Sequence, residues 1–190
     1  MEKRLSLVGS DHFNHDYNWI SSQIERVKPE CITLEQSIDS SASLYWEFEH
    51  PLDKLKREHK NGQFLTGEFA AGIHYAREKQ IPILLIDEFE PYETAVLTDM
   101  NQGRNFDMLI REYPEVDERE DDEFNEWTRR NRLMAFAINH HFLISHFQNI
   151  LHIGGKGHYD KKRCIPLQKL TVADSVEILD AVNKTRHSTK

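Results

Sequence analysis

Apolar residues along the chain fall into two kinds of pattern. Short apolar runs at 4–9, 29–35 and 81–87 have the length of buried strands, and each contains or adjoins a Gly or Pro. Between the first two runs, helical spacing on one face connects Tyr17, Ile20, Ile24 and Val27. A strand, a helix and a second strand in succession are typical of a parallel sheet, so this half of the chain predicts an α/β fold.

The second half continues the same alternation. Thr66 is a suitable N-cap for a helix over "TGEFAAGIHYAREK", which leads into the third strand. A helix is predicted from about Pro91, and the longest helical pattern runs from Phe124 to about His146. The segment "NILHIGGKGHYD" predicts a fourth strand interrupted by glycines.

Residues 164–183 predict the last two elements. We expect an extended strand in "CIPLQKL" and then a helix in "TVADSVEILDAV", which Thr171 opens with Asp174 three residues later. No repeat or Pro/Ser-rich linker marks a second domain. The sequence therefore predicts a single domain, residues 1–190, with a central and mostly parallel β-sheet, flanking helices and a cleft at the carboxyl ends of the strands.

Composition narrows the classes of function. The 190 residues carry a formal net charge of −8, which disfavours binding to nucleic acid or to an anionic membrane. No apolar run has the length of a signal-peptide core or a membrane span, so we expect a cytoplasmic protein. Cys31 and Cys164 lack the spacing of a metal or redox pair, which predicts two thiols in the core. A homodimer is compatible with the sequence.

Polar residues cluster where the predicted strands end. His12 follows the first strand, Glu35 ends the second, and His158 follows the fourth. Both histidines complete a Gly-x-x-His motif, "GSDH" and "GKGH", directly after an apolar run. Because open α/β sheets form their sites at the carboxyl ends of strands, the three side chains are expected to converge. Two imidazoles and a carboxylate are a common ligand set for a divalent metal, although each residue alone is also compatible with an ordinary strand-end position.

Four further polar residues are candidates for the same cleft. Glu68 shares a helix face with small residues that would let the helix approach the sheet, but an acid in the first turn also stabilises the helix dipole. Arg130 and Asn131 flank the apolar stripe of the long helix and are suited to a carboxylate or an oxyanion, unless they extend to solvent. Asp87 ends the third strand, at the rim of the same site.

The order of these motifs resembles the TraB/PrgY family, which includes the Tiki metalloproteases and is related more distantly to erythromycin esterases and ChaN-like proteins. The resemblance covers about residues 5–158 and rests on "LVGSDH", "KPECITLEQ", "GEFAAGIHYAREKQIPILLID", "RRNRLMAFAI" and "ILHIGGKGH". It implies that the residues named above match family motif positions, namely His12, Glu35, Glu68, Arg130, Asn131 and His158. The sequence departs from the family in "EQSIDS", which lacks an expected arginine, and in Asp87–Glu88, where many members have Asp-Arg.

These observations lead to a hypothesis of a metal-dependent hydrolase that acts on peptides. His12, His158 and Glu35 would bind the metal, Glu68 would activate water, and Arg130 with Asn131 would orient substrate or stabilise an oxyanion. The roles of the two glutamates remain interchangeable, and Mn, Co, Zn and Fe all suit nitrogen and oxygen ligands. Two alternatives stay open: a non-catalytic protein of the PrgY type that binds a peptide or small ligand, and a metal-free, esterase-like hydrolase with a histidine base.

Overall fold

The strands form one six-stranded sheet in the order β4-β3-β2-β5-β1-β6. The computed structural model describes residues 2–10, 17–35, 67–87, 95–97, 126–145 and 147–180. Its strands are β1 (Arg4–Ser10), β2 (Cys31–Leu34), β3 (Ile83–Leu85), β4 (Ala95–Leu97), β5 (Asn149–Gly155) and β6 (Ser175–Asp180). Five of them are parallel, and β4 is antiparallel to β3 at one edge. The predicted α/β class with a mostly parallel sheet is confirmed.

Helices cover both faces of the sheet. Their bounds are α1 (Tyr17–Val27), α2 (Gly67–Lys79), α3 (Glu126–Ile144) and the short α4 (Leu167–Leu170), with a 3₁₀ turn at Lys156–Tyr159. Successive residues of β5 belong to two different apolar clusters, Leu151 to the cluster of α1 and α2, and Ile150 to that of α3 and α4. This alternation follows from the two-residue period of a strand and explains why the central strand is almost entirely apolar.

Helix α2 packs closely on the sheet at Gly72. A Cβ atom there would lie 2.8 Å from Cδ1 of Ile153 on β5, which is closer than real side-chain contacts allow. The small residue therefore lets the helix axis approach the strands. Because only three residues separate the end of α2 from the start of β3, the opposite end of the helix, with Glu68, is directed towards the carboxyl ends of the strands.

The prediction for residues 164–183 was wrong in both elements. A four-residue helix, α4, replaces the predicted strand, and strand β6 replaces the predicted helix. The two residues expected to cap that helix have other partners: Asp174 accepts a hydrogen bond from the Lys3 N–H, and Thr171 donates to the carbonyl of Gln168. Pairing with the open edge of β1 stabilises the extended form of a segment whose local pattern also suits a helix.

Most of the other expectations are confirmed, one is wrong, and one falls on residues that the structure does not describe. The helices over α1, α2 and α3 are confirmed, as are the first four strands of the sequence prediction. The helix predicted from about Pro91 is wrong at Ala95–Leu97, which is strand β4, and the N-cap Thr66 lies outside the described residues. Both cysteines are free and buried, as expected of core thiols. No helix in the described ranges has the length and apolar character needed to cross a membrane.

Candidate functional site

Glu35 lies directly after β2, and its carboxylate is the centre of a buried polar cluster. The side chain is 5% exposed. Its Oε1 atom accepts hydrogen bonds from Nη2 of Arg130, at 2.7 Å, and contacts Nε2 of His158 at 2.8 Å. Its Oε2 atom accepts a short hydrogen bond from the backbone N–H of Gly155. The ends of β2 and β5 and the first turns of α3 thus meet at one carboxylate.

The surroundings of Glu35 favour its ionised form. Burial alone raises the pKa of the carboxyl group, but the hydrogen bond and charge of His158, the Gly155 N–H and the charge of Arg130 together lower it to about 2. The carboxylate therefore stays negative at every physiological pH. A negative charge in a buried place attracts cations, whether a proton on a neighbouring base or a metal ion.

His158 is fully buried in the 3₁₀ turn after β5, and Asn131 of α3 fixes its ring. The Oδ1 atom of Asn131 lies 2.5 Å from Nδ1 of His158. The amide nitrogen of Asn131 donates to two backbone carbonyls, those of His158 and Ile165, both at 2.9 Å. The indole of Trp127 packs against the imidazole with ring centroids 4.7 Å apart.

The orientation of the Asn131 amide determines which imidazole nitrogen of His158 carries hydrogen. Because its nitrogen faces two carbonyl oxygens, the amide presents its oxygen to the ring, so Nδ1 must be the N–H donor. In a neutral imidazole, Nε2 then carries a lone pair instead of hydrogen, and it lies 2.8 Å from a carboxylate oxygen of Glu35. Two acceptors at this distance repel each other. The pair needs a shared cation, which a proton on Nε2 or a divalent metal ion would supply.

Arg130 joins Glu35 to a second carboxylate at the end of β3. Its Nε and Nη2 atoms donate to Asp87 at 3.0 and 2.8 Å, while Nη2 also donates to Glu35. Burial opposes the guanidinium charge, but Asp87 and Glu35 outweigh this effect and raise the pKa of Arg130 above its ordinary value. The arginine is a permanent cation between two carboxylates that are 5% and 6% exposed. Asp87 thus lies beside the candidate site.

Glu68 lies in the first turn of α2 and is buried. Its position relative to the cluster is indicated by Tyr159, whose phenol is buried beside the 3₁₀ turn. Burial raises the pKa of Tyr159 well above its ordinary value, and the negative charges of Glu35 and Glu68 raise it further. The carboxylates of Glu35 and Glu68 are therefore both within electrostatic range of one phenol. Glu35 lies on the α3 face of the sheet, whereas the helix that carries Glu68 packs on the other face.

His12 lies outside the described residues, and the structure says nothing of its side chain. The described part of β1 ends at Ser10, which is paired with Gly155 at the end of β5. Of the six site residues expected from sequence, the structure brings Glu35, Arg130, Asn131 and His158 into one hydrogen-bonded cluster.

His152, a polar side chain in the middle of β5, is not among the site residues expected from the sequence. It is fully buried, and its Nδ1 atom lies 2.9 Å from the hydroxyl of Thr33. Its Nε2 atom has no hydrogen-bond partner among the described residues. Burial lowers the pKa of His152 to about 4, with the charge of Glu35 raising it and that of His158 lowering it. A histidine inside the apolar run "ILHIGG" was the available signal, since such strands rarely contain an ionisable residue.

A cavity of about 560 Å³ opens next to the cluster. Trp127 and Gly155, which contact His158 and Glu35, form part of its wall. Its lining combines aromatic rings, glycine backbone and charges of both signs, from Gly9, Ser10, Trp127, Gly155, Lys156, Gly157, Tyr159, Asp160, Arg163, Ile178 and Asp180. Such a lining suits a small polar molecule or a peptide segment.

The donor atoms present fit a divalent metal in two respects. His158 directs Nε2 at a carboxylate while its Nδ1–H is bound by an amide oxygen, an arrangement common behind metal-binding histidines. The Nε2 atom of His152 is a buried nitrogen with no partner in the described part of the chain. Within those same residues, no group of three or more His, Cys, Asp or Glu side chains is placed to hold a metal ion.

Comparison with known proteins adds no assignment, since no protein-family model, curated protein or solved structure matches the chain.

Proposed function

We propose that the protein is a metal-dependent hydrolase that acts on peptides. The contact between His158 Nε2 and Glu35 Oε1 carries this proposal, because the lone pair and the carboxylate require a cation between them. When bound, a divalent ion such as Mn, Co, Zn or Fe would polarise a scissile carbonyl and activate water. The mixed lining of the neighbouring cavity is compatible with a peptide chain. The same proposal includes a cytoplasmic location for the protein.

In this proposal Glu35 and His158 bind the metal, together with His12 of the first Gly-x-x-His motif. Glu68 is the general base, because it is buried, acidic and not one of the groups bonded to His158. Arg130 neutralises Glu35 and Asp87 and is the cation available to a developing oxyanion.

The role of Asn131 changes from the one expected from sequence. Both carbonyls that its amide nitrogen contacts are backbone groups, and its oxygen contacts His158. Asn131 is therefore a positioning residue that orients the imidazole, and it is not a donor to substrate.

Metal analysis and peptide hydrolysis by matched variants test the proposal. The wild-type protein, purified without an affinity-tag metal, is expected to bind about one divalent ion and to cleave peptides from a fluorogenic library. Glu35→Gln should lose both properties, whereas Glu68→Gln should keep the metal and lose turnover. Glu30→Gln is the control, since Glu30 accepts backbone hydrogen bonds from Gln148 and Asn149 at the opposite end of β2. Metal binding without cleavage of any peptide would instead indicate a binding protein.

A metal-free hydrolase is the second candidate, and the same contact favours it. An imidazolium at His158 would also satisfy the pair with Glu35 and could act as a general acid. Turnover that survives exhaustive chelation and is lost in His158→Ala would establish this alternative and overturn the metal-dependent one.

A further inference from the structure

A row of four residues crosses the carboxyl end of the sheet. Gly9 of β1 is the register partner of Gly154 on β5 and of Asp180 on β6. Glu35 extends β2 beside Gly154, because its N–H donates to the carbonyl of Ile153. Residues at one level of a parallel sheet point to the same face. The carboxylates of Glu35 and Asp180 therefore lie at the two ends of the row, with two glycines between them.

The cavity beside the candidate site follows this row. At one end its lining includes Gly155, whose N–H donates to Glu35. At the other end it includes Asp180 of β6, the last strand in the sheet order. Between them the ring of Tyr159 packs on the glycine of β1, with Cε2 3.2 Å from the place that a Cβ atom would take. The cavity thus leads from the Glu35 end of the row to the carboxylate of Asp180.

The length of the row matches a short stretch of extended peptide. Neighbouring strands lie ~4.8 Å apart, so the three intervals from β2 to β6 place Glu35 and Asp180 about 14 Å apart. An extended chain advances ~3.3–3.6 Å per residue, so about four residues cover this distance. A peptide whose scissile bond lies at the Glu35 end therefore has other residues beside Asp180.

The inner part of the cavity lining is acidic. Its two basic side chains, Lys156 and Arg163, are exposed, whereas Asp160 and Asp180 are half-buried. Arg163 also lies 3.9 Å from Asp160, in an ion pair at the surface. Water and salt screen exposed charges more strongly than half-buried ones, so the field inside the cavity favours a cation. Ile178 lies two residues before Asp180 in the same lining, and its apolar surface suits the aliphatic part of a cationic side chain.

We propose that Asp180 determines the specificity of the protein for peptides that carry a positive charge. Its carboxylate binds an ammonium or guanidinium group of the substrate while the scissile bond lies at the Glu35 end of the cavity. This inference rests on the proposed peptide hydrolysis and adds to it the chemical class of the substrate. A free α-amino group and a Lys or Arg side chain both supply such a cation, and the position of the cut distinguishes them.

Hydrolysis of paired peptides by matched variants tests the role of Asp180. The members of a pair differ only in Lys against Met at one position, or in a free against an acetylated amino terminus. Wild-type protein should prefer the cationic member by at least ~10-fold in kcat/KM, and Asp180→Asn should lose this preference. The control is Glu177→Gln, which also removes one negative charge from β6 but from an exposed ion pair with Arg26 of α1. Because the preference is a ratio measured on one preparation, it does not depend on how much of a variant is folded.

Mass spectrometry of the products identifies the source of the cation. A cut about four residues from the amino terminus, which acetylation abolishes, identifies the free amine. A cut nearer to a Lys or Arg residue of the peptide, which acetylation leaves unchanged, identifies the side chain.

Calorimetric titration with the same peptides separates this inference from the proposed function. Cleavage without a preference for cationic peptides, or an equal preference in Asp180→Asn, would overturn the inference alone. No cleavage, together with tighter binding of cationic peptides that Asp180→Asn loses, would overturn the proposed function and support Asp180 as the residue that binds the cation. Neither cleavage nor cation-dependent binding would overturn both.

Discussion

Asn131 contacts His158 at both its side chain and its backbone. The amide oxygen meets Nδ1 of the imidazole, and the amide nitrogen donates to the carbonyl of the same residue. One side chain on α3 thereby fixes both the position of the turn after β5 and the rotation of the ring within it. The direction of Nε2 towards Glu35 depends on this pair of contacts.

Replacement of Asn131 by alanine should damage the site and the fold together. The buried carbonyls of His158 and Ile165 lose their donor, which we expect to lower the free energy of unfolding by about 2–3 kcal/mol. Metal affinity should fall by ~10- to 100-fold because the imidazole loses its orientation. Chemical denaturation and metal titration measure the two effects.

Asn139 on the same helix supplies the matched control for Asn131. It also bonds backbone groups, the carbonyl of Leu170 and the N–H of Val172, and these lie in and after α4 rather than in the turn that carries His158. Asn139→Ala should therefore reduce stability and leave metal affinity unchanged. A similar loss of affinity in both variants would show that the effect of Asn131 is a general one on α3.

Arg130→Ala should leave two buried carboxylates without their shared cation. We expect the free energy of unfolding to fall by about 3–5 kcal/mol, because both carboxylates would stay buried without the positive charge that compensates them. Peptide hydrolysis should fall by ~100-fold if the guanidinium also stabilises an oxyanion. Arg129→Ala is the neighbouring control, and kinetics with urea denaturation distinguish the two variants. Equal effects on turnover would contradict the role assigned to Arg130.

The acid sensitivity of the fold should depend on His152. Its folded pKa of about 4 lies below the ordinary 6.5, so between these values the unfolded chain binds a proton that the folded protein excludes. Stability should be constant above pH 6.5 and fall by roughly 3 kcal/mol as the pH drops to 4. Denaturation of metal-free protein across this range should show a flatter profile for His152→Asn than for wild type. Identical dependence of stability on pH in the two proteins would show that His152 is not the source of the acid sensitivity.

Glu35 affects the stability of the fold in a separate and lower range of pH. Its folded pKa of about 2 lies below the ordinary 4.5, so the stability it contributes is complete above pH 4.5 and is lost as the pH falls towards 2. The two groups can therefore be distinguished by the pH at which each variant departs from wild type.

The sequence predicted elements whose apolar residues have one clear period. Helix α1 and strands β1 and β2 are of this kind, because local spacing and burial agree there. Strand β6 was missed because its apolar residues also suit a helical spacing and only its pairing with β1 makes it a strand. Such pairing joins distant parts of the chain and leaves no local signal.

Within the candidate site, residue types at strand ends were predictable and their partners were not. Glu35 and His158 could be placed at one sheet edge from the positions of their strands. The link from Arg130 to Asp87 depends on the crossing of α3 over β3, which no spacing encodes. His152 was missed because an isolated histidine in an apolar strand indicates a buried polar group without showing what it faces.

The position of β5 has a consequence for synthesis of the protein. Strands β1 and β2 do not pair with each other; β5, which follows more than a hundred residues later, lies between them and pairs with both. A ribosome that has made the first two strands has therefore made neither of the neighbours that β1 needs. Strands β1 and β2 are joined only when the segment with the second Gly-x-x-His motif emerges, so the strand that pairs with both also delivers His158. Nascent chains consequently acquire the central sheet and the candidate site in the same late step, and chains that stop before β5 acquire neither.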